Sequence, residues 1–522
     1  MNPASRVASG LPALNRRGFL GLAAAGAVVL SGCTPSTAPS AASATPRTGG
    51  RLRAAFAGGG AAEVLDPHVT KLYAEIARSK AMFEKLADFG SDMKPEPRLA
   101  ESWESSADLR TWRVTLRKAT FHDGSPVRAT DVLDSYARIT APDSTRRAKA
   151  SLSVIDLAAS SAPDDRTVEL VLKRPYAELP NALATLGAAI LPGGTIDPAN
   201  PIGSGPFRFV SFEPGRSFVA ARYDEYWDGA PYLDELEIVV SSDEAARVNA
   251  LLGGQVEYAH DLTPTTARSH EDGGRMQIHR LPLSNFHGLA MKVDRAPFDN
   301  PEVRQAMFHL VDREELVRSV LQGSGEVAND LYGKGYQYYA DSLAQRTQDL
   351  DRARSLLRSA GAEDLTIVFD TSDAATGLKE AAIAIADQAR GAGLNLDVRL
   401  GNKDTYWTDI SKSGVLASYR SGAMPLESHI SQRLLTTSTT NNTMWKRPQF
   451  DALYNEAQST TDETRRGELY LQMQEELFTE GGFLWWGVSD WLVGSAPQVR
   501  GVDDSAPANT LDWARFDKVW LA

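Results

Sequence analysis

Leu365-Thr366-Ile367-Val368-Phe369 is an apolar run rich in β-branched residues, the composition of a buried-type strand. A helix-favouring stretch follows from about Ala375 to Arg390, closed by Gly391 and Gly393, and Leu394 to Leu400 then alternates as a second strand. Strand, helix, strand predicts a βαβ unit, whose strands run parallel through a right-handed crossover. The region is therefore read as α/β.

Upstream of this unit, Asn300-Pro301-Glu302 combines a capping Asn, a Pro at the first helical position and an acid in the first turn. Val303, Met307, Leu310, Val317 and Leu321 fall on one face behind it, which predicts one helix running to Gly323 with that face packed in the core. Further back, from Arg51 to about Asp243, short strands alternate with turns. Trp112 to Leu116, Val168 to Leu172 and, in part, Leu236 to Val240 show the two-residue period. Gly and Pro cluster at Leu191 to Gly194 and at Pro201 to Pro206, marking turns.

The N-terminus carries an address. Arg16-Arg17 precedes an apolar run from Leu20 to Leu30, shorter than the ~20 residues a membrane span needs. The paired arginines resemble a Tat-type export signal. Leu30-Ser31-Gly32-Cys33 resembles the lipobox of bacterial lipoproteins, with the chain's only Cys where a lipid would attach. Residues 1–32 are read as the signal peptide, and 33–50 as a lipidated Cys and a flexible Ser/Thr/Pro/Ala tether. The mature protein is expected outside the cell, lipid-anchored to the outer face of the cell membrane.

A chain of 522 residues, 42% apolar and 23% charged, is globular, and its net charge of −12 disfavours phosphate backbones, so nucleic acid is not an expected partner. A single Cys rules out an intrachain disulfide framework. Motifs of catalysis are incomplete. Gly487-Val488-Ser489-Asp490-Trp491 lacks the last glycine of a nucleophile elbow. Ser91-Asp92-Met93-Lys94 has Pro95 directly behind it, where the S-x-x-K motif needs helix. The eight His show no tight metal spacing, and His122-Asp123-Gly124 reads as a turn. No enzyme activity, metal or cofactor is expected.

Several strings, in order, resemble the family 5 solute-binding proteins of ABC importers. They are Leu65-Asp66-Pro67-His68, Leu99 to Trp103, Trp112 to Arg117, Phe121 to Pro126, Ala129 to Val132, Gly203 to Phe207, Tyr226-Trp227, Pro297 to Asp299 and Val303 to Ala306. Asp312-Arg313 and the spaced Ala353, Leu356, Leu357, Ala360 and Gly361 complete the set. Asp131 is read as the cap of a helix beginning near Val132. The resemblance implies an α/β protein of the two-lobed periplasmic-binding-protein type II fold. Lobe I would be 51–285, with 88–200 as an extra strand-rich subdomain; lobe II would be 286–488; and 489–522 would return to lobe I. It also implies a monomer that closes on a peptide or similar small solute and delivers it to permease subunits with their ATPase. An exported hydrolase without recognisable motifs, and a peptide-binding chaperone or sensor on the same fold, are the alternatives.

In peptide-binding members a lobe II strand ends in a tract like G-W-x-A-D-Y, whose acid meets the peptide amino group. Here Tyr419 falls on the aromatic and Gly422 on the acid, with Arg420 and Ser421 between them. Glu427 is the nearest acid that could substitute. Arg420 could fork onto a ligand carboxylate or be structurally paired. Tyr406, Trp407, Met444 and Trp445 flank the tract and would be pocket lining or core, while Trp485, Trp486 and Trp491 are expected to pack.

Overall fold

The computed structural model describes residues 45–522 except 59–62, 272–273, 403–404, 439 and 512. The signal segment, Cys33 and most of the tether lie outside the described residues.

An eleven-stranded sheet runs through the molecule. Its middle is two long strands, Gln277–Met291 and Phe483–Ser495, paired antiparallel. Their pairing is interrupted between Leu281 and Asn285, where Leu283 adopts a left-handed φ of 53°, and shifts again between His287 and Gly288. At Gly288 any Cβ would meet the Leu484 carbonyl at 2.4 Å, so only glycine lets the two backbones approach.

On one side of this pair lie Leu416–Gly422, Thr366–Thr371 and Asn395–Leu400. The last two are parallel, register Thr366 with Asn395, and are joined by the helix Leu378–Gly391. This is the expected βαβ unit, with its helix starting three residues later than the sequence implied because Gly377 (φ 83°) breaks the entry. On the other side, Tyr258–Ala259 and Arg51–Phe56 are parallel to each other, Arg51–Phe56 is parallel to Glu235–Val240, and an antiparallel meander of Ser217–Arg222 and Phe207–Glu213 completes the edge. A separate four-stranded sheet holds Ala100–Ser105, Thr111–Leu116, Thr167–Val171 and Ser161–Asp164.

Three apolar clusters follow from this layout. One surrounds Arg51–Phe56 and the meander and takes in Trp491, Trp513 and Phe516. One lies under the helices around the βαβ unit. The third joins Trp112, Phe121, Tyr136 and Val168 of the four-stranded region to Phe286, Tyr332, Tyr419 and Trp485.

Two local expectations are corrected. The predicted helix from Asn300 to Gly323 is two helices, Pro301–Leu310 and Arg313–Ser319. Val311 turns to extended backbone, and the Asp312 side chain accepts from the Glu315 N–H (2.9 Å), so a cap inside the apolar pattern restarts the helix. Asp131 does not cap a helix from its first position either. The helix is Ala129–Thr140, and Asp131 sits in its first turn, accepting from the Arg128 N–H at 2.8 Å and the Gly193 N–H at 2.8 Å. Ser91 to Lys94 forms a turn with Met93 at φ 60°, not a helix.

Candidate functional site

Side-chain direction along the central strands follows from register. Asn285 pairs with Gly422 and with Ser489, and His287 with Arg420 and with Gly487, so these residues share one face. That face is polar. Arg420 Nε donates to Asn285 Oδ1 (3.2 Å), and His287 Nε2 lies 2.9 Å from Ser489 Oγ, tying the two long strands together. Burial and the Arg420 charge hold His287 well below the usual imidazole range, so it is neutral. The opposite face carries Phe286, Tyr419 and Trp485, packed with Phe483 and Tyr332.

Arg420 reaches toward residues from the far side of the long strands. Its guanidinium carbon is 5.7 Å from the Trp491 ring centroid, and Trp491 lies 4.5 Å from Tyr73. His260 sits behind both, 5.2 Å from each, stacked on Phe56 at 4.5 Å; burial keeps it neutral, and neither ring nitrogen has a hydrogen-bond partner among the described residues. Beside it the Asp261 side chain is exposed, and Arg147, also exposed, approaches Tyr73 from the other flank. Burial raises the Tyr73 phenol, while the charges of Arg420 and Arg147 oppose that and Asp261 adds to it. Burial likewise raises the Asp261 carboxyl, and Arg420 again opposes it. Tyr73, Trp491 and Arg420 thus form one cluster, with the exposed Asp261 and Arg147 charged beside it. Arg420 has no carboxylate within ion-pair distance among the described residues.

The sequence-derived candidates separate by face. Arg420 joins the cluster of Tyr73 and Trp491. Gly422 ends its strand with open space before it, Asn509 Nδ2 standing 3.9 Å from where a Cβ would be. Tyr419 and Ser421 are buried on the apolar face, where Tyr419 accepts from Asn442 Nδ2 at 3.1 Å. Tyr406 is buried and donates to the Ser418 carbonyl at 2.8 Å. Trp445 is fully buried, near Phe450 at 6.2 Å, and Met444 is half-buried with φ 56°. Trp407 is exposed, 6.0 Å from Tyr419. Glu427 is no substitute for the missing acid: it is buried and accepts from Tyr454 at 2.5 Å. Trp485 and Trp486 pack as expected, whereas Trp491 packs and also faces Arg420.

Tyr73, Arg147 and Asp261 were not singled out by sequence, because they lie far apart in the chain and form no motif. One signal was available for Asp261. It follows a strand that runs parallel to Arg51–Phe56, and residues just past the carboxyl ends of parallel strands are the usual ligand positions in open α/β sheets. Neither His122 nor Asp123 forms an acid–base pair. The His122 ring lies 3.0 Å from the Gly205 carbonyl and accepts from the Gly203 N–H, while Asp123 bonds Ser125.

The profile of the family described as bacterial extracellular solute-binding proteins, family 5, matches residues 94–444. The glutathione-binding protein GsiB of Pectobacterium atrosepticum is 23% identical over 84% of this chain and 88% of its own length. The periplasmic oligopeptide-binding protein OppA of Salmonella typhimurium is 24% identical, covering 80% and 84%. Among solved structures, AgaA in complex with agropinic acid, from A. tumefacien R10, superposes with a TM-score of 0.75 at 25% identity, covering 91% of this chain and 99% of that one. The substrate-binding protein CtaP of Listeria monocytogenes gives 0.81 at 21% identity, covering 91% and 100%.

Proposed function

This chain belongs to the family 5 bacterial extracellular solute-binding proteins, and from that premise we propose that it is an importer's receptor for a small solute with an anionic end. The solute, peptide or otherwise, would lie between two lobes, 51–285 with 489–522 and 286–488, and pass to the permease of an ABC importer. Residues 88–200 would be an added subdomain of the first lobe. No bond is made or broken in this role.

The observation that carries the anionic end is Arg420. Among the described residues the half-buried Arg420 guanidinium has an amide oxygen as its hydrogen-bond partner, which leaves donors that a ligand carboxylate would satisfy bidentately. Gly422 supports the same reading from the other direction. Where peptide binders are expected to present an acid to an amino group, this chain presents no side chain at all. Hinge movement fits the two long strands, whose pairing lapses between Leu281 and Asn285. A ligand touching both lobes favours the closed state by its extra contacts there. Acylation of Cys33 would keep the receptor beside its permease, and Cys33→Ser should release it from the membrane fraction.

Native mass spectrometry of protein from its own host tests the role. One small molecule should be retained one to one; ligand-free protein that hydrolyses peptides or esters would overturn it.

A further inference from the structure

Near Arg420 stands a charge, Asp261, that an anion-binding role does not use. Asp261 is fastened from several sides through its neighbours' backbone. The His260 N–H donates to the Ala55 carbonyl (2.9 Å), and the Leu262 N–H to the Leu492 carbonyl (2.8 Å). Arg247, buried close by, directs its guanidinium to the carbonyls of Ser241, Ser242, His260 and Asp261 at 2.8 to 3.1 Å. The adjacent cation thus fixes the Asp261 backbone and reaches its carboxylate through its charge, without a hydrogen bond or ion pair. That carboxylate has no hydrogen bond or ion pair among the described residues, and the residue is held at φ 60°.

Arg420 approaches the same ring cluster from the other side: Trp491 is 5.7 Å from its guanidinium, and Tyr73 stands 4.5 Å from Trp491 and 5.2 Å from His260, the residue preceding Asp261. A plus and a minus charge therefore flank one aromatic wall without meeting. Two opposite charges with a purely structural purpose would gain by closing to contact, whereas a ligand carrying both signs at matching separation satisfies each in turn.

We infer that Asp261 is a specificity residue of this receptor, the contact for a charged nitrogen on a solute whose carboxylate takes Arg420, so that zwitterionic solutes are selected over simple anions. The inference rests on the reading of Arg420 as the anion contact. Tyr73 and Trp491 would cover the apolar link between the two charged groups. A simple anion bound at Arg420 leaves Asp261 unpaired and repelling it, which is discrimination by an unsatisfied charge.

The test is calorimetric titration of the full mature protein with matched probes. These are L-amino acids, dipeptides and N-carboxyalkyl amino acids, each beside a counterpart whose charged nitrogen is replaced by an amide or a methylene. Wild type should prefer the charged-nitrogen member of at least one pair by about tenfold or more. Asp261→Asn should shrink that preference to about threefold or less while the simple anion binds as well or better. Asn is chosen because it tolerates the left-handed backbone. Arg420→Gln should weaken both members together. If Asp261→Asn keeps the wild-type preference, or if wild type shows none, the assignment is overturned; should Arg420→Gln still weaken the simple anions, the anion-receptor reading stands without it.

Discussion

Two groups of charges lie within the protein, and they are handled in opposite ways. Around Arg98 each carboxylate has a cationic partner, while Arg117, over the same Trp227 ring, bonds backbone carbonyls. Arg98 donates to Glu84 and Tyr226 at 2.8 Å, Tyr226 donates back to Glu84, and Arg515 joins Asp228 at 2.7 Å and Asp517 at 2.8 Å. Nearby acids hold both guanidinium groups above their usual range. Beside Tyr73 and Trp491, half-buried Arg420 and exposed Asp261 have no ionic partner among the described residues. Buried ions that pair internally serve the fold, and removing one strands the other. Ions left single are the ones whose removal the fold should tolerate.

That contrast breaks most visibly at Arg98. Arg98→Ala leaves buried Glu84 unpaired and should lower unfolding free energy by about 3–5 kcal/mol, read from the denaturant midpoint. Arg420→Ala should do the reverse. Stability should change by no more than about 0.5 kcal/mol, while affinity for the co-purified ligand falls about tenfold or more in titration calorimetry. Equal loss of stability at both sites would erase the distinction.

Glu178 and Glu427 offer an intermediate case. Both are buried where the 176–181 segment meets the helices Pro448–Gln458 and Glu463–Glu480, and each accepts from neutral donors. Glu178 takes Tyr470 at 2.5 Å and Gln458 at 2.6 Å. Burial and then the Glu427 charge push Glu178 up to about 7 from an ordinary 4.5. A raised folded-state pKa means the folded form keeps a proton that the unfolded form has released. Stability is therefore full below pH 4.5 and is lost as pH rises to about 7, levelling beyond it. Glu178→Gln should flatten this slope and gain about 1–2 kcal/mol at pH 8, measured by denaturant unfolding across pH. The smallest effect belongs to the exposed pair of Arg113 and Glu169, 2.6 Å apart, where Arg113→Ala should cost about 0–1 kcal/mol.

Much of the fold is legible in the amino-acid order. Periodicity locates the strands at Trp112, Val168, Leu236 and Ile367 and the βαβ unit, and the ordered strings point to the family. Where local pattern misleads, at Val311, a cap stands inside an apolar pattern, and at Asp131 the helix starts three residues earlier than expected, because period alone does not say where a helix begins. The site divides along the same line. Arg420 and Gly422 are legible because a family tract marks them. Their neighbours Tyr419 and Ser421 point to the apolar face, since strand side chains alternate and only pairing with Asn285 and His287 tells which face is which.

The sequence by itself determined the family and most of the elements, and it brought Arg420 and Gly422 forward as candidates, because these depend on residues close together in the chain. Tertiary structure alone decided that Tyr73, Asp261 and Trp491 stand around Arg420. They are brought there by long strands whose register is set by the packing of whole faces, and a free charge is recognisable only once every possible partner has been placed.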